Sequence, residues 1–123
     1  MATTTLGQDN FETTIKDNAI VLVDWWAEWC GPCRMFAPIF EKASEEHTDI
    51  VFGKIDTEAE RGLSAAAGIS SIPTLMAFKD GSLVFAQPGA LPATALAELI
   101  QAVRDLDIEA ARKAAADKES ATT

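Results

Sequence analysis

The fold is decided by residues 20–34, which read IVLVDWWAEWCGPCR. The first seven of these residues carry one charge and are otherwise apolar, with many β-branched and aromatic side chains. A strand that is apolar on both faces is typical of the interior of a mostly parallel sheet. The motif CGPC follows at residues 30–33, and apolar residues then recur at helical spacing to about residue 47. The stretch therefore predicts a buried strand that passes into a helix at two cysteines.

Outside this stretch, helices and strands alternate along the chain. Further strands are predicted at residues 50–56, 74–79 and 82–85. Further helices are predicted around residues 11–15, 57–68 and 92–103. The first two of these helices have the spacing of a capping box, Asp9 with Glu12 and Thr57 with Glu60. The order α-β-α-β-α-β-β-α predicts an α/β fold with a central mixed sheet and helices on both faces.

The length of the chain fits one globular domain, and its net charge argues against several classes of binding partner. The 123 residues are 48% hydrophobic and carry a net charge of −9, which argues against nucleic acid or an anionic membrane as partner. The start has no secretory signal and no apolar run is long enough for a bilayer, so we expect a cytoplasmic protein. Residues 1–106 are predicted to form the domain. Residues 107–123, whose apolar residues are mostly alanine, are predicted to be a weakly helical or disordered extension.

The two cysteines lie where the strand passes into the helix. Unpaired backbone N–H groups and the helix dipole at this point stabilise an anion, so the pKa of Cys30 is expected to be low and its thiolate reactive. Cys33 lies one turn deeper, which predicts a solvent-facing attacking sulfur and a shielded resolving one. A zinc site needs about four ligands, and the chain supplies only two cysteines and His47. Haem attachment requires a histidine where Arg34 stands, so a redox role is favoured over these and over a structural disulfide.

Asp24 and Pro73 are the other residues singled out by their positions. In an alternating strand Asp24 shares a face with Leu22, and burial would raise its pKa and suit it to move a proton near neutral pH. The alternative is an aspartate at a strand end that is solvated or bonded to backbone, and the sequence leaves both open. Pro73, in Ile72-Pro73-Thr74, belongs at the start of a strand and can form a cis peptide bond.

Residues 24–34 closely resemble the active-site segment of the thioredoxin family, in particular its small bacterial members. The resemblance covers about residues 5–106. It continues through Pro38, Lys54, Asp56, Ile72-Pro73-Thr74, Gly81 and Gly89-Ala90-Leu91. It implies the thioredoxin fold and a thiol–disulfide oxidoreductase that reduces protein disulfides.

The resemblance also implies roles for individual residues. Cys30 would attack a substrate disulfide, and Cys33 would resolve the mixed disulfide and leave a redox-active Cys30–Cys33 disulfide. Asp24 would assist proton transfer at Cys33, with Lys54 as the neighbour of the aspartate. The substrate would dock on the surface formed by Trp29, Gly31, Pro32, Ile72, Pro73, Gly89 and Ala90.

The expected partners also follow from the resemblance. Disulfide-containing proteins would be the substrates, and thioredoxin reductase, a flavoprotein that uses NADPH, would restore the dithiol. Neither flavin nor NADPH would bind this chain, no metal is expected, and we expect a monomer.

Two residues depart from the family pattern. Trp25 stands where the family more often has phenylalanine, so its larger ring needs room. Pro88 precedes Gly89 where a residue with a free N–H is more common, which affects the backbone bonding of the docking loop.

The acidic surface and the extension keep a second hypothesis open, a binding module or complex subunit that uses the same surface without redox turnover.

Overall fold

The computed structural model describes residues 2–122. The elements in chain order are β1 (Thr3–Thr5), α1 (Phe11–Asp17), β2 (Ile20–Trp26), α2 (Gly31–Glu46), β3 (Val51–Asp56), α3 (Arg61–Ala66), β4 (Thr74–Lys79), β5 (Ser82–Pro88), α4 (Ala93–Asp105) and α5 (Ile108–Thr122).

The strands form one five-stranded sheet in the order β1-β3-β2-β4-β5. β2 pairs with β3 and β3 with β1 in parallel, whereas β4 is antiparallel to both β2 and β5. β2 therefore lies in the middle of a mixed sheet, and the predicted α/β architecture is confirmed.

The sheet separates two hydrophobic cores, because successive side chains of a strand point to opposite faces. Leu22 of β2 packs in one core with Phe36 and Phe40 of α2 and with the buried stripe of α4. Val23 and Trp25 pack in the other core, on the side of α1 and α3. β2 is thus buried on both faces.

β1 is a strand that the sequence analysis missed. Its three threonines pair with Phe52, Gly53 and Lys54 of β3. Leu6 follows and is 1% exposed, and its side chain occupies the place that a Cβ atom on Gly53 would need. A glycine within a strand marks such a close approach. Gly53 is therefore the residue from which the neighbouring strand β1 could have been predicted.

Both predicted capping boxes are wrong. α1 begins after Asn10, whose side chain accepts a hydrogen bond from the N–H of Gly7 instead of capping the helix. α3 begins only at Arg61, because the hydroxyl of Thr57 donates to the carbonyl oxygen of Trp26 and so ties the preceding loop to β2.

The β4–β5 hairpin has the predicted Asp-Gly turn. Asp80 and Gly81 have φ values of 50° and 81°, the left-handed pair that a tight hairpin requires.

Next to the turn, the ammonium of Lys79 donates to the carbonyl oxygens of Val103, Arg104 and Leu106 at 2.7–2.9 Å. Lys79 therefore satisfies free carbonyls at the end of α4.

The segment after residue 106 begins in contact with this hairpin. Asp107 accepts hydrogen bonds from the N–H groups of Glu109 and Ala110 at the start of α5. Arg112 donates to the carbonyl oxygen of Asp80 and the hydroxyl of Ser82. The division of the chain at residue 106 stays a prediction.

None of the described helices has the length and apolar composition that crossing a bilayer requires.

Replacing Phe40 by alanine should lower the free energy of unfolding by about 3–5 kcal/mol, because it leaves a cavity in the core. The Phe40 ring is fully buried, and its centroid lies 5.6 Å and 5.2 Å from those of Phe36 and Phe52. Denaturant titration measures the loss. Leu83, which is 52% exposed, is the control, since Leu83→Ala should change stability by only about 0.5 kcal/mol. Equal losses in the two variants would contradict this packing.

Candidate active site

The two cysteines form a disulfide at the N-terminus of α2. Cys30 is the N-cap residue, and its sulfur accepts a hydrogen bond of 3.2 Å from the N–H of Cys33. Pro32 occupies the first turn, where its lack of an N–H costs no helical hydrogen bond. The start of a helix carries free N–H groups and the positive end of the dipole, so this position stabilises negative charge on the Cys30 sulfur.

The two cysteine residues do not differ in exposure as predicted. Cys30 is 4% exposed and Cys33 is 3% exposed, and both pack against Ala27, Trp26 and Ile72. The Cys30 sulfur lies 3.7 Å from the carbonyl oxygen of Ile72. A substrate must therefore approach the disulfide over the exposed residues around it.

Asp24 is fully buried in β2, as one of the two alternatives predicted. Its side chain points to the same face of the sheet as Leu22, the face covered by α2. Neither of its carboxylate oxygens has a hydrogen-bond partner among the described residues. Burial raises the pKa of Asp24 from 3.8 to about 7, and the charge of Lys54 opposes this rise. The group can therefore exchange a proton near neutral pH.

Lys54 links the surroundings of Asp24 to those of Cys33. It pairs with Asp24 in the register of β2 and β3, and its ammonium lies 5.2 Å from the centroid of the Trp26 ring. Lys54, Trp26 and Cys33 line the same pocket of about 120 Å³. Lys54 is thus the neighbour of Asp24 across the sheet and lines one pocket with Cys33.

The residues predicted to dock substrate lie on three segments around the disulfide. Trp29 is 68% exposed, and Gly31 and Pro32 are exposed at the start of α2. The second segment carries Ile72, which is half-buried, and Pro73, which is buried. The third segment carries Gly89 and Ala90, both exposed.

The second and third of these segments are held together by a backbone bond. The Ile72–Pro73 peptide bond is cis, and the N–H of Gly89 donates to the carbonyl oxygen of Pro73 at 2.7 Å. Pro88, which has no N–H to donate, is the last residue of the edge strand β5 and pairs with Thr74. The loop thus keeps its backbone connection despite Pro88.

Glu58 is a neighbour of the site that the sequence analysis missed. Its carboxylate accepts hydrogen bonds from the indole N–H of Trp29 at 3.0 Å and from Arg61 at 2.8 Å. These two donors lower the pKa of Glu58. The contact between Glu58 and Trp29 could have been predicted only from the sheet topology. The ends of the parallel strands β2 and β3 meet at one edge of the sheet and bring the segments that follow them together.

Trp25 finds the room that its larger ring needs. It is fully buried, and its ring packs edge-to-face on Phe11 with 5.9 Å between the centroids.

Among the side chains that the structure describes, no three of His, Cys, Asp and Glu are grouped so that they could hold a metal ion.

The sequence matches proteins of one family over most of its length. The sequence model described as Thioredoxin matches residues 2–102. A thioredoxin-type protein of Streptomyces coelicolor is 53% identical over 119 residues, which covers 97% of this chain and 89% of that protein. The thioredoxin of Coprinus comatus is 42% identical over 95 residues, covering 76% of this chain and 89% of its own.

Solved structures agree with the fold. A thioredoxin of Plasmodium falciparum has a TM-score of 0.73 at 38% identity and covers 79% of this chain and 95% of its own. A mutant thioredoxin of Halobacterium salinarum has a TM-score of 0.76 at 37% identity, covering 84% of this chain and 90% of its own.

Asp24→Asn should stabilise the oxidised protein in a pH-dependent way. Because the pKa of Asp24 is raised from 3.8 to about 7, the folded state binds the extra proton and wild-type stability falls between about pH 4 and pH 7. The gain from Asp24→Asn should therefore grow over this range to the order of 4 kcal/mol. Denaturant titrations at pH 4, 5.5 and 8 measure it.

Asp49→Asn is the control of opposite sign. Hydrogen bonds from Arg104 lower the pKa of Asp49, so its charge stabilises the folded state above pH 4 and its removal should reduce stability there. A pH-independent difference between Asp24→Asn and the wild type would contradict the buried, ionisable state of Asp24.

Proposed function

The chain belongs to the thioredoxin family and is a protein-disulfide reductase, and we propose that Cys30 is its attacking thiolate and Cys33 its resolving thiol. The observation that carries this assignment is the hydrogen bond from the N–H of Cys33 to the Cys30 sulfur at the start of α2. That donor and the helix dipole favour the thiolate of Cys30 over its thiol, and the thiolate is the nucleophile.

In the first step the Cys30 thiolate attacks one sulfur of a substrate disulfide. The bond between Cys30 and that sulfur forms as the substrate S–S bond breaks, and the other substrate sulfur leaves as a thiolate that takes up a proton. The product is a mixed disulfide between Cys30 and the substrate.

In the second step Cys33 loses its proton and attacks the Cys30 sulfur. The Cys30–Cys33 bond forms as the bond between Cys30 and the substrate breaks, and the substrate sulfur leaves as a thiolate that takes up a proton. Asp24 is the group that takes this proton, since its pKa is near 7 and its carboxylate oxygens have no hydrogen-bond partner among the described residues. Lys54 is a positioning residue, because its positive charge favours the ionised, proton-accepting form of Asp24. The substrate leaves with both sulfurs reduced, and two electrons have passed from the dithiol to the substrate.

The substrate docks on the exposed residues that surround the disulfide. Trp29 supplies the largest exposed apolar area, and Glu58 holds its indole by the hydrogen bond described above. Gly31, Pro32 and the exposed pair Gly89 and Ala90 leave room for a polypeptide backbone to approach the sulfurs. Ile72 and Pro73 complete this surface, which is called the docking surface below.

Thioredoxin reductase is the partner that restores the dithiol, with electrons from NADPH. The support is family membership, together with a disulfide that the chain can re-form after each turnover. On the same grounds the protein acts as a monomer in the cytoplasm and binds no flavin or NADPH itself.

Substitution of each cysteine should give a different defect in the reduction of insulin by dithiothreitol or by NADPH and thioredoxin reductase. Cys30→Ser should abolish turnover, because no thiolate remains to attack. Cys33→Ser should accumulate the mixed disulfide, since the resolving thiol is lost, and mass spectrometry detects this adduct. The double variant should form no adduct. Full turnover by Cys30→Ser would refute the assignment.

Asp24→Asn should slow the resolution step by roughly 10- to 100-fold near pH 7, because the proton acceptor of Cys33 is lost. The defect should shrink towards pH 9, where thiols ionise without help. Stopped-flow measurement of the release of the second substrate thiol from pH 6 to 9 follows this step. Asp49→Asn, at the opposite end of α2, should leave the profile unchanged. Superimposable profiles of Asp24→Asn and wild type would contradict the proton role.

A further inference from the structure

The exposed residues of α2 change in character along the helix. In the second half of the helix they are all charged: Lys42, Glu45 and Glu46. In the first half, nearest the disulfide, they are mostly apolar and carry a single charge: Gly31, Pro32, Arg34, Met35 and Pro38. Charged residues are the usual ones on the solvent face of a helix. The start of α2 therefore presents an apolar face to the solvent where the disulfide lies.

Met35 is the largest apolar side chain of this face and is 73% exposed. Pro32 and Gly31 precede it by three and four residues, so all three lie on one face of the helix. Pro32 and Gly31 already belong to the docking surface. No atom of the described residues outside the adjoining backbone lies within 4 Å of the place that a Cβ atom on Gly31 would take, so the surface between Met35 and Cys30 is open. Met35 thus continues the docking surface, and a contiguous exposed apolar surface is typical of an interaction site.

Arg34 is the one charged residue exposed in this half of α2, and its side chain lies towards Trp29. Its Nε donates to the carbonyl oxygen of Glu28 at 2.9 Å, and it lines one pocket with Trp29 and Glu58. Met35 does not line this pocket. The charged groups near the disulfide therefore gather beside Trp29, and Met35 offers an apolar contact outside their pocket.

The distance from the disulfide to Met35 matches a short piece of extended chain. Met35 follows Cys30 by five residues, which is a rise of about 7 Å along the helix. Two residues of an extended chain span about the same length. In an extended chain the side chains two residues from a cysteine point to the same side as the cysteine, whereas its direct neighbours point to the opposite side. A substrate cysteine bonded to Cys30 would thus direct the side chain two residues away towards Met35.

We propose that Met35 is a specificity-determining residue, which contacts an apolar side chain two residues from the reacting cysteine of the protein substrate. The inference rests on the proposed function, since it needs a substrate joined to Cys30. Methionine is unbranched and flexible, so it adapts to apolar side chains of different shape.

Two peptides of identical composition test the proposal. Gly-Leu-Ser-Cys-Ser-Leu-Gly carries leucine two residues from the cysteine, and Gly-Ser-Leu-Cys-Leu-Ser-Gly carries it next to the cysteine. Each peptide is used as its symmetric disulfide. The rates of both with dithiothreitol, which has no docking surface, correct for their intrinsic difference in reactivity.

The wild type should favour the first peptide by about fivefold in corrected kcat/KM, the effect of an apolar contact of about 40 Å². Met35→Gln is similar in size but polar, so it should abolish this preference by raising KM for the first peptide. Met35→Leu should retain the preference. Leu83→Gln is the matched control, because Leu83 is also a large exposed apolar residue and lies near the hairpin turn, at the far end of β5 from Gly89. It should leave the preference at fivefold.

Three results would overturn the inference: equal corrected rates of the wild type with both peptides, a preference that survives Met35→Gln, or a preference that Leu83→Gln also removes. Each of these leaves the reductase activity itself intact. Failure of the wild type to reduce either peptide or insulin would instead contradict the proposed function, and the inference would fall with it.

Discussion

The burial of β2 on both faces is the constraint on which the rest of the structure depends. Strands β3 and β4 pair with it along its length, and each of its faces lies under a separate core. Its carboxyl end therefore has a fixed place, and only residues 27–30 separate it from the start of α2. Cys30 stands at the N-terminus of a helix that is held by the core, so the donor that faces its sulfur is held there as well.

The same burial produces the unusual carboxyl of the site. Asp24 has no hydrogen-bond partner among the described residues, so burial raises its pKa, whereas Glu58 at the rim accepts two hydrogen bonds and its pKa is lowered. The two carboxyl groups are thus suited to different tasks. Asp24 can accept and return a proton near neutral pH, and Glu58 stays ionised and holds the indole of Trp29.

Much of this arrangement could be predicted from local patterns. The double-sided apolar run predicted β2, its alternation placed Asp24 on the face of Leu22, and the Asp80-Gly81 pair predicted the hairpin turn. What could not be predicted depends on contacts between distant residues. β1 is three threonines that become a strand only because Leu6 packs over Gly53, and Glu58 meets Trp29 only because their strands end side by side. Both capping boxes were wrong because Asn10 and Thr57 bond to loop backbone instead of capping helices, and α3 therefore starts later than predicted, at Arg61.

The reduction potential of the Cys30–Cys33 couple tests the central claim most directly. A reductase of protein disulfides must hold its electrons at a lower potential than the substrates that it reduces. Equilibration with glutathione redox buffers, with the dithiol fraction read from tryptophan fluorescence or alkylation, gives the value. A potential below that of the glutathione couple is predicted. A potential well above it would make the chain an oxidant and contradict the account.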